Sequence, residues 1–178
     1  MTTRLVALLR GVNVGPGNRI AMAALRGLLS DLGYTDVATL LNSGNAVFTV
    51  AQAPDLVAMD IEAALMRTLG VKSAVVVRTA EELSAVVACA PLLDVMTDPA
   101  KFLVGFLSGD PIPAGATAVA ALDVAPDQVR LTGRELYLWC PAGVLASPLS
   151  QVPWDKSLGV DVTMRNWNTV TRLLTLVQ

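Results

Sequence analysis

The chain has 178 residues, 53% of them apolar and 16% charged, which suits one ordered domain or two small ones and excludes a disordered chain. Its net charge of −2 and the lack of any run of Lys and Arg exclude bulk attraction to DNA or RNA, so we do not expect a nucleic-acid partner. Histidine is absent, which excludes Ser-His and Cys-His nucleophiles and most zinc chemistry.

The first half of the chain is predicted to contain four strands and three helices. Short apolar runs indicate buried strands, and apolar residues three and four positions apart indicate helices. Pro54 is predicted to begin one helix, and Gly33 and Gly70 to end two of them. In chain order the predicted elements are strand 5–9, helix 22–32, strands 37–41 and 46–50, helix 54–69, strand 74–77 and helix 80–89.

The second half repeats this order with weaker signals. Its first helix is Ala-rich, its second is broken by prolines and only partly helical, and its last is amphipathic from Trp167 onward. In chain order the predicted elements are strand 102–107, helix 114–122, strands 129–131 and 135–140, partial helix 145–158, strand 160–164 and the final helix.

Landmarks of the two halves recur in the same order, which indicates a duplication. Leu9 and Leu107 end apolar runs 98 positions apart, Arg78 and Arg165 end strands 87 positions apart, and Asn45 aligns with Arg134 beside the two hairpin turns. The order β-α-β-β-α-β predicts an α+β fold of two ferredoxin-like halves, residues 1–98 and 99–178, each with an appended helix. Because the strands are apolar at nearly every position, we expect both faces of each sheet to be buried and the halves to pack as one unit.

The cysteines and the N-terminus indicate a cytoplasmic protein. Cys89 and Cys140 have no CxxC spacing and are expected to be buried, reduced thiols. The five apolar residues before Arg10 are too few for a secretory signal, and no stretch approaches the ~18 apolar residues of a membrane span. No spacing of Asp and Glu indicates a metal site, so neither a metal nor a cofactor is expected.

Residues 10–19, which we name the glycine loop, lie between the first predicted strand and helix. Amides of such loops form nests for anions, and the following helix directs its positive end there. The loop lacks the Gly-Lys-Ser/Thr of a P-loop and the third glycine of G-x-G-x-x-G. The alternative interpretation is a plain loop, with glycines at positive φ and asparagines that cap their own backbone. The candidate ligand-binding residues here are Arg10, Gly11, Asn13, Gly15 and Asn18.

Ser43 and Asn45 are further candidates, at the tip of the first predicted hairpin. As polar side chains at a strand end they are suited to face a ligand. The alternative interpretation is a plain turn, in which Gly44 supplies the positive φ.

Arg165, Asn166 and Asn168 are the last candidates, at the start of the final helix. An arginine and two amides beside a helix N-terminus suit a bound anion. Asn166 is also suited to N-cap the helix. Since Arg165 recurs as Arg78, it is alternatively a structural residue that each half needs.

With these residues in view, the chain resembles the bacterial family called domain of unknown function 1697. The resemblance runs nearly end to end and implies a duplicated ferredoxin-like fold without an established activity. The family often has a Ser-Lys pair where this chain has Ser147-Pro148, so any ligand contact by that Lys would be lost here. The segments that carry the resemblance are 7–15 (ALLRGVNVG), 22–25 (MAAL), 32–37 (LGYTDV), 43–48 (SGNAVF), 133–138 (GRELYL) and 165–170 (RNWNTV).

The sequence leaves three functions open. The first is binding of a small anionic or nucleotide-like ligand in a crevice between the two halves, where the polar element ends would converge. The second is a His-free enzyme that uses Arg and Asn electrostatics, with Tyr34, Asp36 or Lys156 as its titratable group. The third is a protein–protein interaction module, such as a homodimer joined through a sheet edge or an apolar patch.

Overall fold

Two four-stranded antiparallel sheets and six α-helices make up the computed structural model, which describes residues 1–178 and confirms the predicted α+β class. The strands are β1 (Thr3–Leu9), β2 (Thr35–Leu40), β3 (Asn45–Val50), β4 (Val75–Thr79), β5 (Phe102–Leu107), β6 (Gln128–Thr132), β7 (Glu135–Trp139) and β8 (Val162–Asn166). The helices are α1 (Met22–Asp31), α2 (Pro54–Ala64), α3 (Ala80–Ala88), α4 (Pro113–Ala120), α5 (Trp154–Leu158) and α6 (Trp167–Val177).

The two sheets have the same strand order and equivalent central pairings, as a repeated pattern predicts. The orders are β2-β3-β1-β4 and β6-β7-β5-β8. In the first sheet Val6 pairs with Arg78, and in the second Val104 pairs with Arg165. These equivalent pairs reproduce the predicted offsets of 98 and 87 positions.

The predicted alignment of the two hairpins is wrong by one residue. Asn45 pairs with Leu8 and Glu135 pairs with Phe106, so Asn45 corresponds to Glu135 and not to Arg134. The loop of the first hairpin contains residues 41–44, whereas the loop of the second contains only residues 133–134. Loop lengths differ between the copies because only the paired strands must keep their register.

Strand β1 is buried on both faces, as its continuous apolar run predicted, whereas the edge strands β2 and β6 keep exposed residues. Leu5, Val6, Ala7 and Leu8 have no exposed surface, although successive side chains of a strand point to opposite faces. The contacts divide the chain into one compact unit of Met1–Ser84 with Arg172–Gln178, and a second of Ala85–Thr171. Both α3 and α6 are therefore divided between the units.

Helix ends follow the local signals in the sequence. Pro54 is the first residue of α2, and the π-helical turn Leu65–Leu69 that follows α2 ends at Gly70 in the left-handed conformation. Thr79 and Glu82 cap α3 reciprocally, with Glu82 N donating to Thr79 Oγ1 at 3.1 Å and Thr79 N donating to Glu82 Oε2 at 2.9 Å.

The Pro-broken segment of the second half contains two short 3₁₀ turns and α5. The 3₁₀ turns are Val144–Ala146 and Pro148–Gln151. Buried Ser147 caps the second turn by accepting a hydrogen bond from Leu149 N, and its hydroxyl donates to the Asp127 carboxylate. Ser147 therefore has a local structural role in this chain.

Both tyrosines of the chain are buried, and we expect the protein to lose stability above pH 10. Burial, with a smaller effect of the Asp60 charge, raises the pKa of Tyr34 to about 12, and burial also raises the pKa of Tyr137. The unfolded chain loses its tyrosine protons near pH 10. The contribution of each tyrosine to stability should therefore be fully present below pH 10 and fall by about 1.4 kcal/mol per pH unit above pH 10, up to about pH 12 for Tyr34.

Urea unfolding between pH 9 and pH 12, followed together with tyrosinate absorbance, checks this expectation. Tyr34→Phe is the matched variant, because the Tyr34 hydroxyl has no hydrogen-bond partner. It should keep the fold and lose the Tyr34 contribution, so that its stability falls less steeply than that of the wild type by about 1.4 kcal/mol per pH unit between pH 10 and pH 12. Ionisation of both tyrosines at pH 10 in the folded protein would contradict the expectation.

Candidate functional site

The glycine loop is fixed at its start by the two residues that precede β4. Arg10 N donates to Ala74 O at 2.9 Å, and Ser73 Oγ donates to Arg10 O at 2.8 Å. Both hydrogen bonds involve backbone atoms of Arg10, and the residue is exposed. The loop therefore leaves the sheet at a defined position with the Arg10 side chain at the surface.

The Asn13 side chain closes the loop. Its Nδ2 donates to Ile20 O at 2.8 Å and to Asn42 O at 2.6 Å, and its Oδ1 accepts from Ile20 N at 2.9 Å. The Asn13 amide donors are thus engaged within the protein, and they tie the glycine loop to the first hairpin. For this residue the geometry favours the alternative interpretation, a structural asparagine.

Positive φ angles alternate along the glycine loop, as they do in an anion nest. Gly11, Asn13 and Gly15 have φ of +65°, +56° and +71°, while the two valines between them do not have positive φ. In an anion nest, alternation of this kind directs N–H groups toward one concave side, although here the central amide, Asn13 N, donates to Asn18 O at 3.0 Å. Within the protein, no acceptor receives a hydrogen bond from the backbone amides of Gly11, Val12, Val14, Gly15 and Gly17.

Cationic side chains surround this loop. Arg10 and Arg19 are exposed at its two ends, and Asn18 Nδ2 donates to Lys72 O at 3.3 Å, so exposed Lys72 lies beside it. The first acidic residue of the chain is Asp31. The local positive charge is visible in the sequence, because residues 1–30 contain four arginines and no carboxylate. The net charge of −2 for the whole chain does not reveal it.

Ser43 and Asn45 lie inward at the hairpin. Asn45 has no exposed surface, and its Nδ2 donates to Leu40 O and to Ser43 Oγ, both at 2.9 Å. Gly44 has φ of +77°, as the turn interpretation predicted. The side chain of Asn45 closes the hairpin from inside, which favours the structural interpretation of this pair.

The remaining candidates belong to the second compact unit. Arg165 is buried and donates from Nη1 to Met164 O at 2.8 Å, as buried Arg78 does to Val77 O at 3.0 Å in the first unit. Burial lowers the pKa of Arg165 to about 10, so it remains cationic at neutral pH. The matching burial and bonds of the two arginines favour a role that each half needs.

At the start of α6, the predicted cap is confirmed. Asn166 Oδ1 accepts from Thr169 N at 3.0 Å and from Thr169 Oγ1 at 2.9 Å. Asn168 is exposed in the first turn of the helix.

The predicted titratable groups do not join Arg10. Asp36 accepts a hydrogen bond from Thr49 Oγ1 at 3.2 Å, and Thr49 pairs with Arg4 of β1. Arg4 and Arg10 are six residues apart along an extended chain, so Asp36 lies about 20 Å from Arg10. Tyr34 stacks on Phe48 with ring centroids 4.8 Å apart and has a raised pKa, which does not suit a general base. Tyr34 and Asp36 are therefore not placed to act together with Arg10, because the strand register puts them toward the opposite end of the sheet. Lys156 is exposed on α5.

The expectation of two buried thiols is half correct. Cys140 is buried, and burial raises its pKa, whereas Cys89 is exposed because it follows the last turn of α3. Neither cysteine forms a disulfide.

No group of three or more Cys, Asp and Glu side chains is placed to hold a metal ion. None of the helices has both the length and the apolar character needed to cross a membrane.

Comparisons with known proteins identify a family and a shared fold. The sequence profile of a family described as "Protein of unknown function (DUF1697)" matches residues 1–137. Among curated proteins there is no significant match. Among solved structures, the chain is similar to a conserved bacterial protein from Streptococcus pneumoniae, with a TM-score of 0.81, 22% identity and full coverage of both chains. At that identity the likeness shows the fold alone.

Proposed function

Since the chain belongs to the family of proteins of unknown function DUF1697, its function must come from its own geometry, and we propose that the glycine loop binds a small anionic or nucleotide-like ligand. The observation that carries this proposal is the row of loop amides without an acceptor in the protein. Phosphate oxygens are natural acceptors for such amides.

The charge around the loop supports the same ligand class. Arg10, Arg19 and Lys72 place positive charge at the loop. A guanidinium can bind a phosphate or a carboxylate with two parallel hydrogen bonds. We assign this role to Arg10, because its backbone is held by the two residues that precede β4 while the residue remains exposed.

The loop is also held in shape before any ligand arrives. Asn13 uses three hydrogen bonds to hold the loop closed and to attach it to Asn42 O. A preformed site loses less conformational entropy on binding than a loop that must first be ordered. Asn13 therefore acts as a positioning residue, whereas the nest amides and Arg10 contact the ligand.

Arg10→Ala is expected to weaken binding of an anion about tenfold, since it removes one charge-assisted contact. The probes are inorganic phosphate, pyrophosphate and ADP, each titrated into ¹⁵N-labelled protein. The wild-type amide signals of residues 11, 12, 14, 15 and 17 should shift together. A ligand at 100 times its Kd should also add about 2.7 kcal/mol to the stability, which raises Tm by roughly 5–10 °C.

Arg26→Ala is the matched control for this experiment. Arg26 is an exposed arginine of α1, outside the glycine loop, whose Nη1 donates to Thr39 Oγ1 at 2.7 Å. It should bind each probe as the wild type does. If none of the three anions shifts the loop amides, or if Arg26→Ala weakens binding as much as Arg10→Ala, the proposal fails.

We also infer that each half is ferredoxin-like. In the first half β3 lies between β1 and β2, and β1 lies between β3 and β4, so each strand–helix–strand unit is split by a strand of the other. The second half has the same order, β6-β7-β5-β8.

We further propose that the protein is cytoplasmic, and the absence of a disulfide between its two cysteines supports this proposal.

A further inference from the structure

Helix α2 and the π-helical turn after it carry apolar residues on two opposite faces. Val57, Ile61 and Ala64 are buried against the first sheet. On the other side, Leu56, Met59 and Met66 are 54%, 65% and 50% exposed, and Ala63 is exposed between them. A surface helix normally presents polar residues there. We name the exposed set, Leu56, Met59, Ala63 and Met66, the α2 stripe.

The spacing of the stripe residues is the same in both directions along the helix. Its residues are separated by three, four and three positions, so Leu56 and Met66 lie equally far from its centre at Ile61, as do Met59 and Ala63. Two copies of such a stripe, packed antiparallel about a two-fold axis, place Leu56 level with Met66 of the other copy and the long Met59 level with the small Ala63. This is the self-complementarity that an isologous dimer interface requires.

The charges beside the stripe favour the same arrangement. Asp55 and Asp60 lie in the first half of the segment, and Arg67 lies near its end. Antiparallel packing brings each Arg67 to the acidic half of the other helix, whereas parallel packing would place like charges at the same level. The acidic residues Asp55 and Asp60 also make the surface unsuited to an anionic membrane.

We propose that the α2 stripe is the interface of an antiparallel homodimer. Leu56 and Met66 are ten positions apart, about 15 Å along the helix, so a single helix pair forms the centre of the interface and the dimer is of the weaker, concentration-dependent kind. The proposal is independent of the ligand assigned to the glycine loop, since no residue of that loop belongs to the stripe.

Light scattering on the full chain, from about 1 µM to about 1 mM, tests the proposal. The wild type should approach twice 18.6 kDa as its concentration rises. Met59→Glu should raise the dimer dissociation constant at least about tenfold, because it places a carboxylate at the centre of an apolar contact. Since Met59 is 65% exposed, this variant should unfold at the wild-type temperature.

Leu145→Glu is the matched control, because Leu145 is a 97% exposed apolar residue outside the stripe. It should dimerise as the wild type does. A wild type that keeps the mass of one chain at every concentration overturns the proposal. So does a Met59→Glu variant that dimerises as the wild type does, or a Leu145→Glu variant that is equally impaired.

Cross-linking tests the antiparallel register separately. In a Cys89→Ser background, which removes the exposed native thiol, the Met59→Cys and Ala63→Cys proteins are oxidised alone and mixed. The mixture should form the inter-chain disulfide faster than either variant alone, since residues 59 and 63 of opposite copies lie level. Faster cross-linking of Met59→Cys with itself would overturn the antiparallel arrangement.

Discussion

Gly115→Ala is expected to destabilise the protein by about 3 kcal/mol or more, the largest effect we expect from a single methyl group. Gly115 is buried in α4, where a Cβ would collide with the Ser157 carbonyl oxygen and lie 3.1 Å from the Leu158 Cα. Both are backbone atoms of the α5 segment, so no side-chain rotation relieves the contact. The two helices would have to move apart, which breaks the packing that α5 makes around buried Leu158.

Thermal and urea unfolding measure this effect, with Tm expected to fall by about 6–12 °C. Gly27→Ala is the matched control, because Gly27 lies inside α1 and a Cβ there has nothing within 4 Å. That variant should be more stable than the wild type by about 0.5–1 kcal/mol. If Gly115→Ala unfolds at the wild-type temperature, the close approach of α4 and α5 is not required for stability.

Gly44→Ala is expected to cost about 2–4 kcal/mol, for two reasons that add. The residue has φ of +77°, which strains any residue with a Cβ, and that Cβ would lie 2.7 Å from Leu9 Cβ and 2.5 Å from Val12 Cγ2. Leu9 ends β1 and Val12 belongs to the glycine loop. The substitution should therefore disturb the candidate site as well as the hairpin.

Gly70→Ala separates the two contributions. Gly70 also has a left-handed backbone, with φ of +65°, but a Cβ there meets nothing within 4 Å. The Gly70→Ala variant should lose only the stability that corresponds to backbone strain, about 1 kcal/mol. Equal losses in the two variants, measured by urea unfolding, would show that the contact of residue 44 with Leu9 and Val12 contributes nothing.

The periodic parts of the fold could be predicted from the sequence because their signals are local. The apolar run at residues 5–9 lies within β1, and Pro54 and Gly70 mark the first residue of α2 and the end of the π turn that follows it. The recurrence of Arg78 as Arg165 matches the strand register. Strand register is set by side-chain burial, and burial requires apolar residues at fixed spacing in both copies.

The irregular parts could not be predicted in the same way. The alignment of Asn45 with Arg134 fails because a loop can lose two residues without changing the strands on either side. The α2 stripe was hidden because Leu56, Met59 and Met66 are interleaved with the core residues of the same helix. Composition alone does not distinguish an apolar residue on the core face from one on the solvent face.

For the candidate site, spacing identified the glycine loop but not the role of each polar residue. Asn13 and Asn45 look alike in the sequence as asparagines at element ends, yet one spans the glycine loop and the other is buried in the hairpin. Asp36 is nearer to Arg10 in the sequence than Lys72 is, but the sheet places Asp36 beside Arg4, whereas Asn18 binds the backbone of Lys72. Proximity in the chain therefore did not predict proximity in the site.

By itself the sequence determined which segments form strands and helices, that the pattern occurs twice, and which loop combines glycines with arginines. These features depend on local spacing and on residue type, which the chain states directly. Only the tertiary structure decided which polar groups the protein bonds itself and which it leaves without an internal acceptor, such as the nest amides, and which apolar side chains it leaves exposed, such as those of the α2 stripe. That division depends on hydrogen bonds and packing between residues distant in the chain, such as Asn13 with Asn42 and Arg10 with Ser73.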